Sequence, residues 1–343
     1  MMNRMVGSVL TLVTLLFSAE AAVAQTYTQM QWGVNKAVTP YQFGANINGV
    51  WSNLGTVSPA GVWSIPSSNL AFAPGLTGSV ATTVQAKLRQ TVSIKDFGAT
   101  GDGTTYDTAA FTAAFALTAP TEIYIPAGTY RIACNAKFTA AGSVSFVGDG
   151  KGISTIKLDT GCTLPLNGMF EYAAKNNIEW SNLTVDLNTP ATAGSLRVGL
   201  LFTAYSGSAD KLHIHDMEVK NGISPVMLIA VGAAGGNTYS NIIIENNQLS
   251  LTTAATTQNQ CIALTTLEAA GYIPSALIAK NTCVNSGIQT DGAYTRVIDN
   301  DVSGFAFGTG IFTAYSSNPA AQPSSQNCVI SGNVMHDSPV GLD

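Results

Sequence analysis

Apolar and polar residues alternate at period two, in short runs broken by turns, through the last two thirds of this chain. Six segments share one shape: IEWSNLTV (178–185), LHIHDMEV (212–219), IIIENNQL (242–249), LIAKNTCV (277–284), TRVIDNDV (295–302) and CVISGNVM (328–335). In each, alternating apolar residues enter a turn rich in Asn, Asp or Gly, and an apolar residue returns after it. Period two places the apolar residues on one face of a strand. The segment starts are spaced 34, 30, 35, 18 and 33 residues apart, with further apolar runs between them at 198–202, 226–231 and 261–264. Units of about 30 residues that repeat in this way predict a solenoid, each unit one coil of two or three strands, with like residues stacked on like. The 18-residue interval does not match the others and reads as a misread register. A β-sandwich is the alternative, and it predicts antiparallel hairpins with two-residue turns. The recurrent Asn corners and near-constant spacing favour the solenoid.

A different pattern precedes the repeats. Val92 and Ile94 alternate as in a strand, and Gly98, Gly101 and Gly103 permit tight turns. Asp107 reads as the N-cap of a helix over about 108–117. Phe111 and Phe115 share a face of that helix with Ala110 and Ala114, suited to covering the open end of a solenoid. Residues 122–126 follow as an early strand. Residues 25–90 are polar, dotted with Trp32, Trp51 and Trp63, and weakly periodic. They read as an N-terminal arm or small attachment region, with short strands and turns at 46–55.

The first 24 residues have the form of an export signal. Arg4 precedes an apolar run at 9–17, and Ala22-Val-Ala24 before Gln25 is a small-x-small cleavage pattern. The run is far short of the about 20 residues that span a bilayer, and nothing later is long and apolar enough to cross one. The expected location is secreted, periplasmic or cell-surface. Only 10% of residues are charged while 46% are hydrophobic, which fits many short strands with Thr and Ser outside. The net charge of -5, with no basic cluster, argues against a nucleic-acid partner. The five cysteines, Cys134, Cys162, Cys261, Cys283 and Cys328, read as small apolar core residues or as disulfide partners.

The stretch 91–111, TVSIKDFGATGDGTTYDTAAF, followed by IPAGTY at 125–130, resembles the opening of the pectate-lyase superfamily, in its rhamnogalacturonase and epimerase-like branch. Phage tail-spike and tail-fibre proteins share the motif, and the lead-in at 83–92 resembles their joint with an attachment region. The resemblance covers 91–343. It implies an all-β, right-handed parallel β-helix with a short N-terminal capping helix. It also implies dealings with a polysaccharide or cell-surface glycan, and assembly as a homotrimer in the tail-spike branch. The motif is a folding signature, so Asp96, Asp102 and Asp107 are expected in turns and caps.

Hydrolysis of glycans uses two carboxylates across a groove. Relatives resembling polygalacturonase place adjacent aspartates before a Cys-Val/Ile-Ala-Ile strand. The local match, at 258–264, has Asn259 and Gln260 there, and the family's Gly-His-Gly element is absent, with 285–287 in its place. Amides do not serve as acid and base. The remaining candidates are Asp216 with Glu218, and Asp299 with Asp301, each pair two residues apart. Asp186 follows Val185 at the end of a repeat strand, and Asp291 lies near the second pair. His213 and His215 share one face beside the first pair, making the densest ionisable cluster: an acid–base site, a weak metal site or a polar face. A lyase calls for a base near the uronate C5 proton, with an arginine or a divalent cation such as calcium; Arg197 and Arg296 are the repeat region's arginines, and no cofactor is otherwise implied. Tyr205, Tyr239, Tyr272, Tyr294 and Tyr315, in or beside connections, suit stacking on sugar rings or packing of loops. The sequence thus leads to an exported polysaccharide-active protein, a hydrolase or lyase of acidic glycans. The alternative is a non-catalytic carbohydrate-binding or tail-spike-like structural protein.

Overall fold

The repeats close into a solenoid because each brings two strands and a corner. In a computed structural model the described residues are 30–35, 41–47, 50–58, 63–66, 70–72, 77, 80–88, 92–134, 136–160, 168–188, 199–204, 206–222, 227–231, 237–252, 260–266, 273–290, 294–304, 310–313 and 327–337. The export-signal reading of 1–24 lies outside them. The chain divides into two compact units, 1–90 and 91–343. In the first unit, Met30–Asn35, Tyr41–Ile47, Val50–Val57 and Trp63–Ser64 form a four-stranded antiparallel sheet. Ile47 pairs with Val50 at one end of the second and third strands.

The second unit is a parallel β-solenoid of three sheets. Sheet A holds nine strands, among them Thr121–Ile125, Val144–Gly148, Ile178–Ser181, Ala209–His215, Tyr239–Glu245, Ala276–Ala279 and Thr295–Ile298. Sheet B also holds nine, from Asp102–Tyr106 to Val334–His336. Sheet C holds seven, from Phe138–Thr139 to Ile311–Thr313. The chain runs A, B, C and back to A, and strands pair in parallel between coils, as the solenoid reading requires and a sandwich does not.

Each eight-residue signature is a sheet A strand, a corner and a sheet B strand. The corner residue is left-handed: Asn182 (φ 55), Asp216 (φ 53), Asn246 (φ 56), Lys280 (φ 54), Asp299 (φ 54) and Gly332 (φ 66). Asn, Asp and Gly recur there because they tolerate that conformation. The residue after it, in the last four corners, is Asn247, Asn281, Asn300 and Asn333. These side chains form a ladder. Asn281 Nδ2 donates to Ile244 O (2.9 Å) and Asn300 Oδ1 (3.0 Å), while its Oδ1 accepts from Asn247 N (3.1 Å) and Nδ2 (2.9 Å). The 18-residue interval is not a misread coil. Register pairs Ile178, Leu212, Ile242, Ala276 and Thr295 in turn, so the short coil is real and advances Asn281 to Asn300 by 19 residues. Its strands Thr282–Val284, Gly287–Thr290 and Thr295–Ile298 are joined by brief connections.

Inward residues of sheet A stack in one column: Ile123, Phe146, Trp180, Ile214, Ile244, Ile278 and Val297 are all essentially buried. The helix spans Thr108–Phe115 and buries Ala110, Phe111, Ala114 and Phe115 as its pattern predicts. The Phe115 ring lies 5.2 Å from Phe146 and 5.4 Å from Phe170, so the helix plugs the first coils with aromatic surface. Asp107 sits at the N-cap position, but its side chain does not cap the helix. Its carboxylate instead accepts from Thr100 N, Thr100 Oγ1 and Gly101 N, holding the glycine-rich turn, because those donors converge on it at 2.7–3.2 Å. Asp96 and Asp102 serve turns, accepting from Ser93 N and from Thr104 N and Thr105 N. The motif's two halves meet directly. Thr129 N donates to Gly101 O (2.9 Å), and a Cβ on Gly101 would lie 2.8 Å from the Tyr130 ring.

Cys261 and Cys283, both buried, form a disulfide, so the core and pairing readings of these cysteines hold together. Cys134 is disulfide-bonded as well.

Candidate functional site

Sheet A turns alternate residues outward, and register aligns them into a row across coils. Glu122 pairs with Ser145, Glu179 with His213, and His213 with Ile243; Glu179 follows Ser145 one coil on, its N–H bonded to Ser145 Oγ at 2.9 Å. This row floors a groove of about 420 Å³. One wall is a line of left-handed residues at the entry to successive strands: Asn177 (φ 55), Lys211 (φ 60) and Asn241 (φ 54). Lys211 and Asn241 are left-handed residues that break the alternation of their two strands at the same level. They let Ala209 and Leu212, and likewise Tyr239 and Ile242, both face inward. Asp210 braces this wall, accepting from Ser240 Oγ (2.8 Å) and Asn241 Nδ2 (2.7 Å), bonds that hold its carboxyl below the usual range.

The second outward row carries Ser181, His215 and Glu245. The two imidazoles stack, centroids 4.0 Å apart and planes 27° apart. His213 Nε2 meets Glu245 Oε1 at 3.0 Å on the following coil, and His215 Nε2 meets Glu179 Oε1 at 3.1 Å on the preceding coil. His215 Nδ1 binds Asp216 Oδ2 at 2.8 Å. Burial pushes the His215 imidazole down, but its bonds to Asp216 and Glu179 outweigh this and raise its pKa above the usual histidine value. The bond to His215 holds the Asp216 carboxyl below its ordinary value; burial opposes this, while Asn246, and Lys151 through its charge, assist. Lys151 is placed there by a bond to Asn246 O at 2.8 Å. The two imidazole Nε2 atoms point to opposite coils and do not converge on one point. Among the described residues no group of three or more His, Cys, Asp or Glu is arranged to hold a metal ion.

His213 and His215 share an outward face, as expected from the alternation. The pair Asp216 and Glu218 does not, because the left-handed corner at Asp216 interrupts the strand. Asp216 joins the sheet A network, whereas Glu218 lies on sheet B, where Thr184 Oγ1 (2.9 Å) and Lys220 Nζ (2.8 Å) donate to it. Asp299 and Asp301 are split in the same way by the corner at Asp299. His336 Nε2 meets Asp301 at 2.9 Å and Nδ1 meets Asp337 at 2.7 Å, and these bonds raise its pKa. Asp186 is buried on sheet B and accepts from Asn221 and from Asn188 N. Gln260 is buried at the start of a sheet C strand, and Asn259 lies outside the described residues. So do Asp291, Arg197, Tyr205, Tyr272 and Tyr315. Tyr239 is fully buried and packs the core, while Tyr294 is exposed. On the described strands of sheet C the one carboxylate is Glu171, in an ion pair with Lys137 at 2.6 Å. Sequence reading missed Glu122, Glu179, Glu245 and Lys211. Only inter-coil register brings the three glutamates into the outward rows of the histidines, whereas Lys211 lies on the histidines' own strand; the one available signal for the glutamates was their outward phase.

Among curated proteins, the chain is 36% identical over 116 residues to mannuronan C5-epimerase AlgE2 of Azotobacter vinelandii, covering 30% of this chain and 12% of that protein. It is 34% identical over 115 residues to alginate lyase 7 of the same organism, covering 30% and 13%. The chain thus spans only a small part of these relatives. Among solved structures it is similar to the pre-mature gene product 12 of bacteriophage phi29, at TM-score 0.49 and 20% identity, covering 74% of this chain and 34% of that one. Residues 91–343, the whole of the solenoid unit, match the family model described as rhamnogalacturonase A/epimerase, pectate lyase-like, and the chain belongs to that family.

Proposed function

We propose that this chain is an exported polysaccharide-acting protein that holds a glycan strand in the groove over sheet A. The observation that carries the reading is the in-register outward row of Glu122, Ser145, Glu179 and His213, walled by Asn177, Lys211 and Asn241. Amide groups bond sugar hydroxyls, and Lys211 supplies positive charge for an acidic sugar. The names of the relatives, which concern mannuronan and alginate, support an acidic glycan. No described helix is long and apolar enough to cross a membrane, which fits export.

Asp216 enters this site by holding His215. Glu218, Asp299 and Asp301 stand as secondary candidates on the corner and on sheet B. Binding without turnover is the second reading, favoured by Gln260 standing where related enzymes carry an acid. Assembly as a homotrimer belongs to the same proposal and is read by light scattering.

The test is incubation of the protein with uronic-acid and neutral polysaccharides. Ultraviolet absorbance of an unsaturated uronate marks a lyase. New reducing ends without it mark a hydrolase, and retention without turnover marks a binding protein. Failure to bind or alter any glycan in the panel refutes the reading.

A further inference from the structure

The wall of the groove belongs to a column of residues that is strained at two places. Eleven of the fifteen non-glycine residues with positive φ among the described residues are Asn or Asp, which tolerate the left-handed conformation. Of the other four, two stand in this one column. The paired residues Ile178, Leu212, Ile242, Ala276 and Thr295 are preceded in turn by Asn177, Lys211, Asn241, Ser275 and Tyr294. Asn177 and Asn241 suit their φ of 55 and 54, whereas Lys211 holds φ 60 and Tyr294 φ 52 with long side chains. Strain kept where the neighbouring coils carry a better-suited residue points to a use outside the fold. Neither side chain is absorbed by the fold. Lys211 is exposed and forms no salt bridge among the described residues; the adjacent Asp210 feels its charge but bonds Ser240 and Asn241. Tyr294 is 55% exposed, while Tyr130, Tyr172 and Tyr239 are buried in the core. Among the residues lining the groove, Lys211 is the one Lys or Arg, so it marks the place where a sugar carboxylate is attracted.

We infer that this left-handed column sets the specificity of the groove: Lys211 bonds the carboxylate of a uronate residue, and Tyr294 stacks on a ring of the same sugar strand. The two positions are three coil steps apart on one line along the solenoid, about 14 Å, a span that an oligosaccharide bridges. The ligand class is a polyuronate rather than a neutral glycan. The ammonium group forms charge-assisted bonds to the sugar carboxylate. The phenol ring covers the apolar face of a sugar. Each residue serves binding at the expense of the fold. Asparagine at either position should therefore give a more stable protein that binds less well.

This inference rests on the proposed glycan groove, and the experiment separates the two. Affinities for mannuronan and polygalacturonate oligosaccharides, and for uncharged gluco-oligosaccharides of equal length, are measured by isothermal titration calorimetry. Thermal melts accompany every variant. The wild type should prefer a uronate. Lys211→Asn should weaken that binding roughly tenfold, the loss of one charge-assisted bond. It should also raise Tm by up to roughly 4 °C as the strain is relieved. Tyr294→Asn should weaken uronate binding roughly two- to tenfold and likewise raise Tm. Lys211→Arg should keep the binding. Lys280→Asn relieves the same strain at a corner between sheets A and B, and should raise Tm while leaving affinity unchanged. Five results overturn the specificity column and leave the groove standing: no uronate preference in the wild type, unchanged uronate affinity in either Asn variant of the column, a lower Tm in either, lost binding in Lys211→Arg, or weakened binding in Lys280→Asn. No binding to any of these glycans overturns both.

Discussion

Replacing Asn281 by Ala should destabilise the solenoid far more than the same change at Asn333, although both are rungs of one ladder. Asn281 is 1% exposed, and its side chain makes four hydrogen bonds. Truncation leaves the Asn247 backbone N–H without its acceptor and removes the Nδ2 donor from Ile244 O. Each buried group left unpaired costs about 1–3 kcal/mol, so the pair centres on about 4 kcal/mol. At roughly 2–4 °C per kcal/mol for a domain of this size, Tm falls by roughly 8–16 °C. Asn333 is only half-buried, with the Val297 O and Asn300 N groups that it serves near the last described coil. Water can replace its bonds there, and the expected cost is under about 1 kcal/mol. Asn281→Asp is the control. It keeps an acceptor for Asn247 but sets a carboxylate against Ile244 O and Asn300 Oδ1, so it should be at least as damaging as Ala. Urea and thermal melts of the three variants decide the matter. Equal melting of Asn281→Ala and Asn333→Ala would refute the view that ladder energy comes from desolvated backbone groups.

Four further outcomes are expected. Gly101→Ala should lower Tm more than Gly98→Ala: both positions have positive φ, but only at Gly101 does the new Cβ meet the Tyr130 ring, at 2.8 Å. Lys280→Asn should raise stability by up to about 1 kcal/mol in a denaturant melt, since Lys280 is the least suited of the left-handed corner residues. Reduction should cost about 3 kcal/mol through Cys261–Cys283, whose partners are 22 residues apart; an unchanged melt of the Cys261→Ser, Cys283→Ser double variant counts against this. The His215–Asp216 contact should support the fold in a defined pH window. The raised histidine contributes fully below its unfolded value of 6.5 and loses that contribution as pH rises through its folded pKa. The lowered aspartate contributes above its unfolded value of 3.8 and loses it as pH falls through its folded pKa. The stability difference between wild type and His215→Gln should therefore peak between those values and shrink on the alkaline side. A difference constant across pH would show that the ring acts only by packing.

The two halves of the opening motif illustrate how local sequence can carry tertiary information. Gly101, Gly128 and Tyr130 are spaced as they are because one coil must dock its turn on the next. Asp107 shows the limit. Its position marks a helix start, yet its carboxylate turned to Thr100 and Gly101, since two backbone donors and a hydroxyl outcompete a single cap. The 19-residue coil shows another, because register became visible only when Ala276 met Thr295.

Period-two alternation and recurring Asn corners determined by themselves that the chain would stack as a parallel solenoid, because inward phase and left-handed tolerance are properties of single residues and their neighbours. What faces what on the outer surface was decided only by the tertiary structure. Asp216 and Glu218 are close in sequence, yet a corner sends them to different sheets. Glu179 and His215 are 36 residues apart, yet one coil step joins them. Coil length is set by connections of variable size, so the column a polar residue enters depends on the summed lengths of the loops before it.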